Sequence, residues 1–165
     1  MEVSRTRALR GPNLWSRHTA IEAIVSCSPG ECAIGEMPGF EARLRERFPE
    51  ISLLQPAGHD EAVAMAHALE FAALGLQAQA GCPVTFSRTA QTLEPGVFQV
   101  VVEYSEEAVG RLAFELAQAL CRAAVDNTAF DLADALHRLR ELDEDVRLGP
   151  STGSIVYAAV ARGIP

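Results

Sequence analysis

A histidine and a glutamate in the middle of the chain have the spacing of a metal-binding pair. His67 and Glu70 lie three residues apart, so a helix would place both side chains on one face, where both could bind a divalent metal ion. His18, Glu22 and His59 are further ligands that could complete such a site. The H-x-x-E pair is a weak signal by itself, because a helical histidine beside apolar residues is more often a packing residue and two ligands do not hold a metal.

Arginine side chains are the candidates for recognising carboxylates, because the planar guanidinium group can donate two parallel hydrogen bonds to that anion. Arg88 follows a short apolar segment, and Arg10 and Arg17 flank a similar segment near the N-terminus. Single arginines of this kind are more often plain surface residues. The stretch 149–154, rich in glycine and serine, could bind phosphate at a helix start, but it lacks the lysine of a Walker loop, and a helix cap by Ser151 explains it.

The composition excludes several classes of function. The chain has 165 residues, of which 48% are apolar and 22% charged, and its net charge is −8. An acidic chain without a basic cluster is not typical of proteins that bind nucleic acids or anionic membranes. All fourteen basic residues are arginine, so the lysine of a P-loop or of a Schiff base is absent.

The cysteines and the chain start indicate a cytoplasmic protein. Cys27, Cys32, Cys82 and Cys121 show no C-x-x-C spacing, which favours reduced thiols over zinc ligands or disulfides. No apolar stretch approaches the roughly 20 residues of a membrane-spanning helix. The first residues also lack the continuous apolar core of a signal peptide.

Hydrophobic periodicity predicts the elements that would position these residues. Strands are predicted by alternating or β-branched runs at Val3–Leu9, Thr19–Ser26, Val84–Phe86 and Gly96–Tyr104. Helices are predicted over Gly39–Phe48, from an N-cap at Asp60 to about Gly81, from a cap at Ser105 to about Val125, over Phe130–Glu141, and from Pro150 to near the end. Strands early and helices late favour an α+β fold, a small mixed or antiparallel sheet with helices mainly on one face.

No repeat or linker interrupts the sequence, so residues 1–165 are predicted to form a single domain. Five segments, in this order and spacing, resemble the amino-terminal domain of cyanophycin synthetases: LRGPNLW at 9–15, MPGF at 37–40, GCPVTFSRT at 81–89, VVEY at 101–104 and LGPST at 148–152. The apolar pattern of the last eighteen residues, which has no stop signal, agrees with a piece of a longer protein.

The resemblance implies the N domain of a large cytoplasmic, homo-oligomeric ligase. In that family an ATP-grasp domain adds aspartate and a Mur-ligase-like domain adds arginine, and both are expected to be missing from this chain. ATP and magnesium would serve those domains, with no cofactor in this one. The N domain would hold the growing polymer, a polyaspartate with arginine on each β-carboxylate that stores nitrogen. Candidate polymer contacts are Arg88, Arg17, Arg10, Glu70 and His67.

Some relatives carry a metallopeptidase-like site in this domain, with an H-x-x-E-H motif and a further glutamate five residues after its first. Here Phe71 replaces the second histidine and Gly75 the last glutamate. The resemblance therefore implies a degraded site around His67 and Glu70 with no metal and no catalytic residue. The alternative is a metal-dependent cyanophycin hydrolase that makes primers and completes its site from elsewhere in the fold.

Overall fold

The computed structural model describes residues 1–9, 19–51 and 63–148. Four strands form one antiparallel sheet: β1 (Glu2–Leu9), β2 (Ala20–Ser26), β3 (Ser87–Gln91) and β4 (Val97–Glu103), in the order β1-β2-β4-β3. The two central strands are β2 and β4, which are rich in β-branched residues. The edge strands β1 and β3 are polar and more exposed, as is common for strands at the edge of a sheet.

Side chains alternate between two faces of this sheet. The helix face carries the apolar residues of the central strands, namely Ile21, Ala23, Val25, Phe98, Val100 and Val102. The far face, which is turned away from the helices, carries Ala20, Glu22, Ile24, Gln99, Val101 and Glu103. The period of two along each strand therefore separates an apolar face from one that includes two glutamates.

Four α-helices follow the strands of the sheet or connect them: α1 (Phe40–Arg47), α2 (Met65–Gln79), α3 (Glu107–Asp126) and α4 (Leu132–Leu148). Two 3-10 turns, Pro29–Glu31 and Ile34–Glu36, precede α1. Helix α2 packs on β3 and β4, and α3 packs on β2 and on α2. Phe40, Leu44 and Phe48 of the α1 segment are fully buried and fill the space beside α2 and α3.

Two glycines permit close approaches in this packing. Gly110 lets α3 lie against the strand end, because a Cβ atom at this position would come within 2.6 Å of the Tyr104 Cβ. Gly96 has a φ of +77° in the turn between β3 and β4, which only glycine adopts without strain. None of the helices in the described residues is long and apolar enough to cross a membrane.

The predicted α+β class is confirmed, and the structure corrects several element boundaries. The third strand is Ser87–Gln91 rather than Val84–Phe86, so Arg88 lies within the strand and not after it. The helix expected to begin at Asp60 begins at Met65. The predicted helix after Pro150 lies outside the described residues.

The last two described helices also differ from their predicted bounds. Helix α3 begins one residue later than predicted, with Glu106 rather than Ser105 as its N-cap residue. It ends where Asn127 adopts a left-handed conformation with a φ of 53°. Helix α4 runs over Leu132–Leu148, seven residues beyond the predicted end at Glu141, because the charged residues that follow continue its exposed face.

Candidate functional site

Glu70 is a buried carboxyl group on the helix face of the sheet. Its side chain extends from α2 toward β3 and is only 4% exposed. The Ser87 hydroxyl donates a 2.5 Å hydrogen bond to Glu70 Oε2. Burial raises the pKa of Glu70, and hydrogen bonding from Ser87 and Thr89 opposes that rise only in part. The protonated form of Glu70 is thereby favoured compared with an exposed glutamate.

His67 closes the first turn of α2. The backbone N–H of Ala64 donates to His67 Nδ1 at 3.1 Å, so this nitrogen carries no proton. The imidazole also packs edge-to-face on the Phe98 ring, with the centroids 6.0 Å apart. A histidine that binds a metal through Nε2 instead donates an N–H from Nδ1 to a neighbouring acceptor. His67 therefore has the hydrogen bond of a helix cap, which is the reverse of the arrangement that a metal ligand at Nε2 needs.

The two positions where further ligands were considered on α2 carry no ligand, and the second of them is closely packed. Phe71 is partly buried against the hydrophobic core. A Cβ atom on Gly75 would lie 3.1 Å from the Cε2 atom of Phe48. A carboxylate at position 75 would have to displace this ring, so the residues present do not fit the metal site of the hydrolytic relatives.

The additional ligands considered from the sequence do not complete the site within the described residues. Glu22, considered as one possible further ligand, lies on the far face of the sheet, opposite His67 and Glu70, and so cannot bind one metal ion together with them. His18 and His59 lie outside the described residues. Among the residues that are described, no group of three histidine, cysteine or acidic side chains is close enough to bind one metal ion.

The far face carries a buried carboxylate with two arginines. Arg7 donates to both oxygens of Glu22 at 2.9 and 3.3 Å, and Arg5 lies 3.8 Å from Oε1. The amide of Gln99 adds a hydrogen bond at 2.9 Å. Burial alone would raise the pKa of Glu22, but these hydrogen bonds and the arginine charges together lower it below its usual range. Glu22 is therefore held as the anion.

Arg88 belongs to the same far face. It pairs with Val101 across β3 and β4, and Val101 in turn pairs with Glu22. Arg88 is exposed, whereas its neighbours Ser87 and Thr89 face α2. The five predicted polymer contacts are thus divided: Arg88 lies on the far face, His67 and Glu70 lie on the helix face, and Arg10 and Arg17 lie outside the described residues.

Arg5 and Arg7 were missed among the candidates. Their side chains are 63% and 55% exposed even though both contact Glu22. The sequence signal was present, because arginines two residues apart in a predicted strand must lie on one face. The register shift of β1 lies between Val3 and Arg5, so Arg5 and Arg7 both follow it in regular register and share a face. The far face therefore presents two arginines at one buried carboxylate, and Arg88 on β3.

The thiols show no sign of nucleophilic activation. All four cysteines are unpaired, and three of them are buried. Burial raises the pKa of Cys27 to about 11 and that of Cys121 to about 12. A reactive cysteine requires a lowered pKa, so these two residues behave as core residues.

Comparison with known proteins shows the relationship that the motifs suggested. Residues 21–126 match the family model described as the cyanophycin synthase-like N-terminal domain. The cyanophycin synthetases of Trichormus variabilis and a Nostoc species are each 38% identical to the whole chain, and that of Crocosphaera subtropica is 36% identical. The chain covers 20 to 21% of these relatives' own length. The match extends from β2 to α3 and so includes three of the four described strands and three of the four described α-helices. The chain therefore belongs to the cyanophycin synthase-like N-terminal domain family.

Proposed function

We propose that this chain is a non-catalytic domain that binds the growing cyanophycin polymer for a cyanophycin synthetase. The observation that carries the proposal is the far face of the sheet, where Arg5 and Arg7 contact the ionised Glu22 and Arg88 lies two strands away on the same face. Such a face can bind a partner through charge without performing a reaction. The relatives that match the entire chain are cyanophycin synthetases by name.

The chemistry of the polymer suits such a surface. Each repeat offers a guanidinium group and a carboxylate, and arginine side chains bind carboxylates with two parallel hydrogen bonds. The net charge of −8 favours binding of the polymer's guanidinium groups to other parts of the domain surface. A bound polymer would remain near active sites in other domains of the same enzyme, which raises the local concentration of chain ends.

The remaining domains of that enzyme would perform the chemistry. Under this proposal an ATP-grasp domain and a Mur-ligase-like domain, outside these 165 residues, use ATP and magnesium to add aspartate and arginine. The whole ligase would act in the cytoplasm as a homo-oligomer. A hydrolytic role for this domain is not supported. His67 accepts a hydrogen bond at the start of α2, and Glu70 is a buried carboxyl group bonded to Ser87.

Binding of a soluble oligomer of β-aspartyl-arginine to the 165-residue chain tests this function. Binding should weaken as salt is added, because exposed charges are screened over about 8 Å at physiological ionic strength. Arg88→Ala should weaken it by roughly three- to fivefold, as expected for loss of one exposed ion pair. Arg138→Ala, which removes an exposed arginine from α4, is the matched control and should have little effect. No binding by the unmodified chain, or equal loss in both variants, would contradict the proposal.

A further inference from the structure

A groove runs between the outer edge of β1 and helix α3, on the helix face of the sheet. One cavity of about 240 Å³ is lined by Val3 and Thr6 of β1 and by α3 residues that include Arg111, Glu115 and Gln118. A second cavity of about 230 Å³ begins at Gln118 and continues past Arg122 to Asp126. Because both cavities share Gln118, they adjoin along α3. The groove therefore follows the strand edge for much of its length.

The strand beside this groove has backbone groups available for pairing. Among the described strands, β1 pairs with β2 alone and forms one end of the sheet. An edge strand of this kind carries unpaired N–H and C=O groups that can accept a further strand. At eight residues, β1 is long enough to pair with roughly 26 Å of extended chain.

The wall that α3 contributes has alternating charges. Arg111 and Glu115 are four residues apart, and Arg122 and Asp126 repeat that pair eleven residues later. Eleven residues are about three helical turns, so both pairs lie on nearly the same side of α3, about 16 Å apart. The α3 wall therefore presents a cation, an anion, a cation and an anion in succession, and the ion-paired Met1 ammonium and Glu31 line the same cavity as the second pair.

Three of these four charges have no internal counterion in the part of the chain that the structure describes. Glu115, Arg122 and Asp126 are exposed and lie in no ion pair there. Arg111 contacts Glu107 at 3.1 Å, one turn earlier on the helix. Both signs of charge are thus available to a partner.

We propose that an extended peptide with both guanidinium and carboxylate groups binds in this groove by adding a strand to β1. The inference rests on the proposed function and specifies it further, since the occupant would be the cyanophycin backbone itself. That backbone is a polyaspartate whose amide groups can pair with β1. Its branches on one side would face α3, and those on the other side would face Arg5 and Arg7 on the far face.

The spacing of the charges fits that occupant. In an extended chain, successive side chains on one face are about 6.6 Å apart. On α3, Arg111 and Glu115 are separated by a rise of about 6 Å, as are Arg122 and Asp126. Every cyanophycin branch carries a guanidinium and a carboxylate, so each can pair with whichever charge it meets. A purely acidic or purely basic peptide would meet a like charge in each of the two pairs.

A substitution that fills the groove tests the site. Gln118→Trp places a large ring where the two cavities meet and should weaken binding of an oligomer of about eight repeats by roughly tenfold. Ala133→Trp introduces the same ring at an exposed position of α4, away from the groove, and should leave binding unchanged. Should Gln118→Trp fail to fold, Arg122→Ala, which removes one charge from the groove, can be compared with Arg138→Ala, and only the former should weaken binding.

A second probe distinguishes strand addition from attraction between charges. An oligomer methylated on alternate backbone amides keeps every charge but cannot form a continuous strand, so it should bind much more weakly than the unmodified oligomer. Equal binding of the two oligomers would overturn strand addition. Unchanged binding to Gln118→Trp or Arg122→Ala, with Arg88→Ala still weakened, would overturn the groove and leave the proposed function intact.

The groove could instead join two copies of this chain edge to edge. The unmodified chain would then form a dimer in light scattering, and Gln118→Trp would convert it to a monomer without changing oligomer binding. That result would overturn the inference. If the unmodified chain did not bind the oligomer at all, the proposed function itself would be wrong, and this outcome is distinct from failure of the groove.

Discussion

Glu22 and Glu70 are buried to a similar extent on opposite faces of one sheet, with 2% and 4% of their surface exposed, and their pKa values shift in opposite directions. Glu22 lies beneath two arginines and is held as an anion. Glu70 has hydroxyl neighbours that cannot balance its charge, so burial favours its proton.

This difference shows what distinguishes the charged face of the sheet from its packed interior in this domain. Burial alone raises the pKa of a carboxyl group, and only neighbouring cations reverse the effect. The far face has those cations and exposes their outer sides. The helix face holds His67 and Glu70 within apolar packing, where they help to define α2 and its contact with β3.

The largest effect is expected when a carboxylate is introduced on the helix face. Gly75→Glu should lower the free energy of unfolding by about 2 to 3 kcal/mol, because the new side chain displaces the Phe48 ring. Urea denaturation measures the change. In a Phe48→Ala background the added cost should be smaller, since the obstructing ring is gone. Gly35→Glu, at a position with no neighbouring atom within 4 Å, is the control and should cost little.

If Gly75→Glu were as stable as the unmodified chain and gained a tightly bound zinc ion together with Phe71→His, the helix face would retain room for a metal site. That outcome would contradict the interpretation of this face as packed interior.

On the far face, Arg7→Ala should destabilise the domain by about 2 kcal/mol at pH 7, because it removes both hydrogen bonds that Arg7 makes to the buried Glu22. The folded-state pKa of Glu22 is lowered, so its contribution is present above the ordinary glutamate pKa of about 4.3 and is lost as the pH falls further. The difference between the two proteins should therefore shrink in urea denaturation at pH 3.

Arg45→Ala provides the matched control for this change. Arg45 pairs with Glu41 at 3.2 Å on the surface of α1, and losing such a pair should cost less than about 0.5 kcal/mol. An equal cost for Arg7→Ala and Arg45→Ala, or a cost for Arg7→Ala that does not change with pH, would contradict the role given to Glu22.

The smallest effect is expected for Glu70→Gln, which should stabilise the domain at pH 8. The free energy of unfolding should rise by about 1 kcal/mol, which is the scale of the cost of desolvating one buried polar group. The folded-state pKa of Glu70 is raised, so the wild-type carboxyl is tolerated best at low pH and loses stability as the pH rises through that value. The gain should therefore vanish near pH 4. A glutamine that destabilised the domain more at pH 8 than at pH 4 would show that Glu70 is held as an anion.

The sequence predicted the α+β class because the central strands and α3 have strong periodic patterns. The segment Ser87–Gln91 is polar and short, and its pairing depends on β4 and on the bond from Ser87 to Glu70, which no local pattern reveals. The start of α2 was missed for a similar reason. Its first turn is closed by the ring of His67, whereas Asp60 has the residue type that usually caps a helix.

The candidate site was predicted only in part, because the face on which a residue lies depends on strand register. Arg88 and Glu70 were grouped as candidate polymer contacts. The adjacent residues Ser87 and Arg88 point to opposite faces of the sheet, and only Ser87 bonds to Glu70. The contribution of Arg5 and Arg7 required the pairing of β1 with β2, which brings Glu22 beneath them. These are contacts between distant parts of the chain.

Titration of the isotope-labelled chain with an oligomer of about eight β-aspartyl-arginine repeats, followed by backbone amide NMR, tests the central claim most directly. We expect chemical-shift changes along β1, at Arg88 and at the groove residues of α3, which are Arg111, Glu115, Arg122 and Asp126. Residues 67 to 75 should change little, and the oligomer should not become shorter. Shift changes centred on His67 and Glu70, or release of shorter chains, would contradict it.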